Sequence, residues 1–333
     1  MILNLVFLIV GFVILIKGAD IFVDGASAVA GNFKVSKMLI GLTIVAFGTS
    51  APELAVSIKS LISGNGDMVL GNVIGSNILN ILLILGLSAM FHSLAVKNNT
   101  VKKELPITLM ITTAFAVLLS DSIFTKNVTN SFTRGDGIVL LLFFSVFMYY
   151  LISMSRNKID DDSNATYPSM KKACFLTVLG LIGIVVGSNF VVDGASGLAK
   201  IVGISERMIS LTIVAIGTSL PELVTSVAAT RKGEYDIAIG NVVGSNIFNI
   251  GIVIGIPVAI FGGISTINFS YIDIVVMILS ALFLFIFSYN DHKISKKEGI
   301  FFLLAFIAYY SYVIFGWMIF KFKTRKFIFL LNT

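Results

Sequence analysis

Cysteine and histidine are nearly missing from this sequence. Cys174 is the only cysteine, and the two histidines, His92 and His292, stand beside expected loops. A single cysteine excludes an internal disulfide, and so few thiol and imidazole groups argue against a zinc or copper site. The polar residues also supply no nucleophile with a base and a group to orient it. The sequence therefore predicts neither an enzyme nor a bound cofactor.

Charge is scarce as well. Only 13% of the 333 residues are charged, whereas 56% are hydrophobic. Several apolar runs approach or exceed the roughly 20 residues that cross the hydrocarbon core of a bilayer, so a soluble fold is excluded. The net charge of +6 comes mainly from Lys and Arg residues in short loops, where they set membrane topology. A nucleic-acid partner is therefore not predicted, and the lipid bilayer is the expected partner.

The apolar runs predict an all-α integral membrane protein with about ten transmembrane helices. The expected spans are 2–30, 36–62, 68–91, 105–120, 136–155, 172–199, 205–231, 236–261, 270–289 and 298–320. The first run, Ile2 to Ile16, lacks the basic start of a secretory signal, and its small-residue continuation to Ala30 recurs later in the chain. It is interpreted as a retained transmembrane helix.

The basic residues predict the orientation of these spans. With the N-terminus outside, the inner loops collect fourteen Lys and Arg residues and the outer face nine, four of them in the C-terminal tail. The positive-inside rule then favours an external N-terminus in the cell membrane. The polar stretch at 156–171 becomes a cytoplasmic linker; its three consecutive aspartates could form a Ca2+-binding loop, but a solvated linker is favoured. No protein partner is inferred.

The chain contains an internal repeat. A shift of 169 residues superimposes Leu42–Gly86 on Leu211–Gly255 without a gap, with 24 of 45 positions identical. Because each half holds five predicted spans, an odd number, the second half must enter the membrane from the opposite side. The sequence therefore predicts inverted five-helix repeats at 1–155 and 172–320, separated by the linker at 156–171 and followed by a tail at 321–333. Inverted repeats are typical of transporters with a midplane site and alternating access.

Each half places a glutamate within a span. The segments are Ala46-Phe-Gly-Thr-Ser-Ala-Pro-Glu53 and Ala215-Ile-Gly-Thr-Ser-Leu-Pro-Glu222. A charge at the centre of a spanning helix costs roughly 2.5–3.5 kcal/mol, so two of them need a compensating interaction. The proline in each segment predicts a helix break before the glutamate, which would free carbonyl oxygens between Ala46 and Thr49 and between Ala215 and Thr218. Carboxylate, hydroxyl and carbonyl oxygens together predict a site for a hard cation.

A second repeated motif follows in each half. Asn72, Ser76 and Asn80 recur at four-residue spacing in Gly71-Asn-Val-Ile-Gly-Ser-Asn-Ile-Leu-Asn80, and the second copy runs from Gly240 to Asn249. The glycines fit a small-xxx-small pattern that brings helices close together. Helix packing alone would account for this motif, but it would not account for the glutamates. Among the other repeated aspartates, Asp67 and Asp236 are expected to be N-caps, whereas Asp24 and Asp193 fit a cap or a loop contact at least as well as ion binding.

These motifs resemble those of the calcium:cation antiporter superfamily, and within it the compact prokaryotic sodium/calcium exchangers. The likeness covers nearly the whole chain. It implies a Ca2+ site at Glu53 and Glu222, with Thr49 and Thr218, and exchange of three Na+ for one Ca2+ as the first and sixth helices slide across the others. The Na+ sites that it implies extend to Ala46, Ser50, Ser76 and Asn80 in the first half, and to Ala215, Ser219, Ser245 and Asn249 in the second.

Two departures narrow this resemblance. Potassium-dependent relatives carry Asp where this chain has Asn249, so K+ co-transport is not expected. Proton-coupled relatives carry Glu-His in the motif where this chain has Gly75-Ser76 and Gly244-Ser245, which argues against proton coupling. A proton/Ca2+ antiporter stays as the main alternative, and a cation channel lined by the same carboxylates as the less favoured one.

Overall fold

The computed structural model describes residues 1–124, 130–156, 167–203, 215–265 and 270–331, with residues 124, 215, 265 and 315–331 described by their backbone only. Helices dominate these residues, because a backbone inside a bilayer must satisfy its hydrogen bonds without water. The elements of the first half, with π-helical turns labelled π, are α1 (Ile2–Phe33), α2 (Lys37–Ile40), π1 (Gly41–Val45), α3 (Ala46–Thr49), α4 (Ala51–Ile62), α5 (Gly66–Leu79), π2 (Asn80–Leu85), α6 (Gly86–Phe91), β1 (Leu94–Ala95), π3 (Thr100–Glu104), α7 (Leu105–Leu118), α8 (Asp121–Phe124), β2 (Ser131–Phe132) and α9 (Arg134–Arg156).

The described elements of the second half follow the same order. They are α10 (Met170–Ile201), α11 (Ala215–Thr218), α12 (Leu220–Arg231), α13 (Tyr235–Phe248), π4 (Asn249–Ile254), α14 (Gly255–Phe261), β3 (Ile264–Ser265), α15 (Tyr271–Asp291), β4 (Lys293–Ile294) and α16 (Lys296–Leu331).

Seven helical segments of the described residues are long and apolar enough to cross a membrane. A bent pair, Lys37–Thr49 with Ala51–Ile62, raises the number to eight. These eight correspond to eight of the predicted spans. The predicted span 105–120 is found as α7, whose 14 residues follow π3 directly. The predicted span 205–231 begins among residues 204–214, which lie outside the described residues. Ten spans therefore stay a prediction.

The outer surface is as apolar as a bilayer requires. Large hydrophobic side chains such as Ile9, Leu142 and Phe175 are more than half exposed. Exposed apolar side chains on this scale indicate contact with lipid rather than with water. The interior contains two apolar clusters, one around α5, α7 and α13 and a smaller one between α1, α10 and the helices α12 and α13.

Equivalent helices of the two halves run antiparallel where they meet. Near one end of the α1–α10 pair, Gly11 faces Val191, and near the other end, Gly25 faces Thr177; at Gly180, an added Cβ would lie 2.4 Å from the backbone N of Phe22. The glycines let the two backbones touch, so α1 and α10 form one tight pair.

The spans that contain α5 and α13 are antiparallel too. Gly66, at the start of α5, lies against Ile264 of β3, which follows α14. Lys97, which follows β1, pairs with Asp236 at the start of α13. Two antiparallel strand pairs, β1 with β4 and β2 with β3, also join loops of the first half to loops of the second. These contacts therefore place the start of α5 beside the segment that follows α14, and the start of α13 beside the segment that follows α6.

The capping predictions for two aspartates were wrong. The residues before the helices are Asn65 for α5 and Glu234 for α13, so Asp67 and Asp236 occupy the second helical position rather than the N-cap. A negative charge in the first turn still interacts favourably with the helix dipole. Asp24 makes the loop contact that was one of its alternatives, because its Oδ1 lies 2.6 Å from Nζ of Lys232.

Candidate cation site

A broken helix carries each glutamate. In the first half the axis bends by 44° between Thr49 and Ala51, and Glu53 lies in the first turn of α4. In the second half Ser219 separates α11 from α12, and Glu222 lies in the first turn of α12. The predicted breaks are therefore confirmed. The cause is local: each proline is the second residue of its helix, where it cannot donate to the carbonyl four residues earlier.

The carbonyl groups at the breaks are less free than predicted. The Ala46 carbonyl accepts from the Ser50 N–H at 3.0 Å, and the Thr49 hydroxyl oxygen lies 3.3 Å from it. The Gly217 carbonyl, which Pro221 leaves without its helical donor, accepts from Ser188 Oγ of α10 at 3.0 Å. The protein's own donors therefore take up part of the carbonyl capacity that the sequence assigned to a cation.

The two glutamates are buried and cross-linked by hydroxyl groups from the opposite half. Glu53 is 0% exposed and Glu222 is 1% exposed. Ser219 Oγ donates to Glu53 Oε1 at 3.1 Å, and Ser50 Oγ donates to Glu222 Oε1 at 2.9 Å. Each half thus supplies one carboxylate and the hydroxyl donor for the other carboxylate.

The threonines repeat this exchange between the halves. Thr49 interacts with the carboxylate of Glu222, and Thr218 interacts with that of Glu53. Thr49 Oγ1 also lies 3.0 Å from Oδ1 of Asn241. Both threonines therefore lie beside the paired carboxylates, as the resemblance implied.

Helices α5 and α13 close the site from the other side. Ser219 Oγ lies 3.1 Å from Ser76 Oγ, and Ser245 Oγ contacts Glu222 Oε1 at 3.5 Å. The amide of Asn72 donates to the Glu53 carbonyl at 3.2 Å, and that of Asn241 donates to the Glu222 carbonyl at 3.3 Å. These two asparagines hold the backbone of the glutamates rather than their carboxylates.

Four asparagines connect the halves at the centre. Asn80 Nδ2 donates to Asn246 Oδ1 at 2.9 Å, and Asn249 Nδ2 donates to Asn77 Oδ1 at 3.0 Å. The amides of Asn77 and Asn246 in turn donate to each other's backbone carbonyl at 3.3 Å. Sequence reasoning missed Asn77 and Asn246, although both stand at identical positions in the repeated Gly-Ser-Asn motif.

Four buried oxygen atoms of this region have no hydrogen-bond partner among the described residues. They are Oε2 of Glu53, Oε2 of Glu222, Oδ1 of Asn80 and Oδ1 of Asn249. Buried acceptors without donors are costly and rare, so each needs an explanation. Two carboxylate and two amide oxygens form the oxygen-only donor set that Ca2+ and other hard cations prefer. The residues present therefore fit a cation.

No basic side chain of the described residues forms an ion pair with either glutamate. Their charge is not compensated by the protein in this region. Of the other predicted site residues, Ala46 is buried beside Thr49, and the backbone of Ala215 begins α11. Every predicted residue thus lies in or next to the broken helices or in the spans that face them.

A second pair of carboxylates lies outside this cluster. Glu104 is fully buried and accepts from the hydroxyl of Tyr150, while Asp273 accepts from the hydroxyl of Tyr309 at 2.9 Å. The two acidic residues are separated by the same 169 positions as the repeat. Each links the fourth span of its half to the fifth, so their contacts are with packing partners rather than with the candidate site.

Comparison with known proteins decides what kind of molecule contains this site. The profile of the sodium/calcium exchanger protein family matches residues 3–153 and 172–315. The chain belongs to the sodium/calcium exchanger family. The exchanger is 36% identical over 294 residues to the inner membrane protein YrbG of Escherichia coli strain K12, with 85% of this chain and 88% of YrbG covered. It is 33% identical over 340 residues to the sodium/calcium exchanger MaX1 of Methanosarcina acetivorans, with 92% and 97% covered.

A solved structure gives the same result. The sodium-calcium exchanger NCX_Mj matches with a TM-score of 0.82 and 33% identity, over 93% of this chain and 98% of that chain. The predicted superfamily is therefore confirmed. The exchanger is an all-α, multi-pass membrane protein and an antiporter of a family whose substrates are Ca2+ and Na+.

Proposed function

We propose that the exchanger moves Ca2+ against Na+ through one shared site between its halves. The observation that carries this proposal is the pair of buried glutamates, each bonded by a serine of the opposite half, whose second carboxylate oxygens lack hydrogen-bond donors among the described residues, as do Oδ1 of Asn80 and Oδ1 of Asn249. Glu53 and Glu222 bind Ca2+ with Thr49 and Thr218. Na+ occupies overlapping positions on the same oxygens and on the remaining residues of the set: Ala46, Ser50, Ser76, Asn80, Ala215, Ser219, Ser245 and Asn249.

Competition couples the two ions. With both glutamates ionised, the empty site would hold two negative charges in a region of low dielectric, where an uncompensated charge has a high free energy. One Ca2+ neutralises both carboxylates, and several Na+ spread over more oxygens do the same. The free energy of closing the site to water is therefore low only when cations are bound, so only the loaded site changes the side to which it opens. A stoichiometry of three Na+ for one Ca2+ follows the family resemblance and moves one net positive charge in the direction of Na+.

Alternating access uses the inverted halves, 1–155 and 172–320, joined by the linker at 156–171. The antiparallel contacts of equivalent helices and the reciprocal hydrogen bonds around Glu53 and Glu222 support this arrangement. In this scheme the α1–α10 pair slides as a unit across the rest of the protein and opens the site to one side at a time. The N-terminus is outside the cell membrane, and the tail at 321–333 follows the second half.

The test is Na+-driven 45Ca2+ uptake into proteoliposomes. Vesicles loaded with Na+ and diluted into Na+-free buffer should accumulate Ca2+, whereas K+-loaded vesicles should not. An interior-positive potential should accelerate uptake, since net positive charge leaves with Na+. Uptake driven by an imposed pH gradient would instead assign the site to a proton/Ca2+ antiporter, and uptake without any counter-ion gradient would indicate a channel.

The reciprocal serines give a first quantitative prediction. The double substitution Ser50→Ala with Ser219→Ala removes both hydroxyl donors to the carboxylates. Hydrogen bonds to a charged group contribute about 1.5–3 kcal/mol each, so we expect a loss of roughly tenfold or more in apparent Na+ and Ca2+ affinity with the fold retained. Ser145→Ala with Ser153→Ala, two exposed helix serines, is the control. If the site variant and the control have equal apparent affinities for Na+ and Ca2+, Ser50 and Ser219 do not contribute to cation binding.

A further inference from the structure

A charged cluster joins one end of α1 to the turn between α12 and α13. Lys232 Nζ lies 2.6 Å from Asp24 Oδ1 and donates to the Asp20 carbonyl at 2.6 Å. Ser27 Oγ donates to Glu234 Oε1 at 3.1 Å, and the same oxygen lies 2.7 Å from Lys37 Nζ. The latch consists of Asp24, Ser27, Lys232 and Glu234. Two charges on the turn thus meet partners on α1.

The equivalent turn of the first half has the same backbone and no charge. Shifted by 169 positions, Lys232-Gly233-Glu234 becomes Ser63-Gly64-Asn65. The central glycines have φ of 76° and 72°, so the two turns share one left-handed conformation. The difference between the turns therefore lies in their side chains alone.

Helix α10 keeps the residues that would meet such a turn. Asp193 and Ser196 stand at the positions equivalent to Asp24 and Ser27. Within the part of the chain that the structure describes, the Ser196 hydroxyl is buried without a partner, whereas the Ser27 hydroxyl bonds to Glu234. The latch is therefore built at one end of the α1–α10 pair and lacks its charged half at the other.

Packing follows the same asymmetry. α1 lies along α12, and Ala26 and Ala30 share one buried apolar cluster with Ala228 and Ala229. The equivalent pair, α10 and α4, is described over its whole length and barely touches. The α1–α12 interface, called the seam, is thus tightly packed at the end that carries the latch. The equivalent interface between α10 and α4 has few contacts.

We propose that Lys232 and Glu234 are positioning residues of the exchange cycle. They hold the end of α1 against α12 and favour the state in which the site is closed to the latch face. This inference rests on the alternating access proposed above, because a bias matters only if α1 slides. The pairs are partly exposed, with Asp24 63% and Lys232 27% accessible. Exposed pairs are weak and screened by salt, so the latch tunes the balance of states and does not lock one of them.

The test measures opening of the seam directly. Ala229 is fully buried between α12 and α1. An Ala229→Cys probe is placed in a Cys174→Ser background and reconstituted in nanodiscs, where a hydrophilic maleimide reaches both faces. Lys232→Ser with Glu234→Asn, which copies the uncharged turn, should raise the labelling rate about fivefold, the scale of a modest coupling between two states. High KCl should raise the labelling rate of the parent, because salt screens the ion pair, and should not change the labelling rate of the uncharged-turn variant.

A charge swap separates the ion pair from general damage to the turn. Asp24→Lys with Lys232→Asp should return labelling to near the parent rate, whereas Asp24→Lys alone should not. The reciprocal graft, Ser63→Lys with Asn65→Glu, should leave Ala229→Cys labelling no faster than in the parent. An unchanged rate in the uncharged-turn variant, or an increase that the swap does not reverse, would overturn the proposal. Labelling needs no ion gradient, so failure of Na+-driven uptake with latch-dependent labelling would contradict the proposed function alone.

Discussion

Glu53→Gln and Glu222→Gln should each abolish Na+-driven Ca2+ uptake while the protein remains folded in the membrane. Each substitution keeps the shape of the side chain and removes one of the two charges that Ca2+ neutralises. Loss of one partner from a buried, compensated charge costs about 3–5 kcal/mol, which corresponds to a loss of 100-fold or more. Uptake of 45Ca2+ into Na+-loaded proteoliposomes measures the effect, and size-exclusion profiles check the fold.

Glu104→Gln is the matched control for this experiment. Glu104 is also a buried glutamate, but its contact is with Tyr150 rather than with the paired site. The control should retain Na+-driven exchange at a rate near that of the parent. Full exchange in both site variants would remove the carboxylates from the transport site, and equal loss in Glu104→Gln would show that burial rather than location explains the effect.

Gly180→Val should prevent α1 and α10 from pairing. A Cβ at this position would lie 2.4 Å from the backbone N and 2.6 Å from the Cα of Phe22, and backbone atoms cannot move aside cheaply. Overpacking of this kind costs about 3 kcal/mol or more, so we expect little folded protein and no transport. Thermal unfolding in detergent, followed by size-exclusion chromatography, measures the loss.

Gly135→Val is the control for the glycine prediction. Gly135 lies in the first turn of α9, is exposed, and would bring its Cβ only to 3.5 Å from Thr133 Oγ1, an ordinary contact. This variant pays only the modest β-branched propensity cost and should unfold near the parent temperature. If Gly180→Val is as stable as Gly135→Val, the close approach of α1 and α10 is not required for the fold.

The repeat made the main features of the site predictable. Two copies of a Pro-Glu segment placed both carboxylates inside spans, and proline chemistry predicted a break before each glutamate, which the structure has at Ser50 and Ser219. These inferences needed only residue type and spacing. The halves also had to meet, because neither glutamate could be tolerated alone in lipid.

What the sequence did not reveal depends on tertiary register. The amides of Asn77 and Asn246 bond across the halves, and no local pattern distinguishes them from packing residues of the same motif. The Ala46 carbonyl was expected to be free, but the Ser50 N–H and the Thr49 hydroxyl reach back to it. The N-caps were misassigned because each helix begins one residue before its aspartate. The spacing of residues in the sequence shows which side chains share a face of a helix, but it does not show which other residues that face contacts.

Equilibrium binding shows whether Ca2+ and Na+ share one site. Purified exchanger is titrated with 45Ca2+ at several fixed Na+ concentrations, with K+ replacing Na+ to keep ionic strength constant. A shared site predicts that Na+ raises the apparent Kd for Ca2+ steeply without changing the number of Ca2+ sites, and that Glu53→Gln loses Ca2+ binding. Simultaneous saturation with Ca2+ and Na+, with neither ion weakening the other, would contradict it.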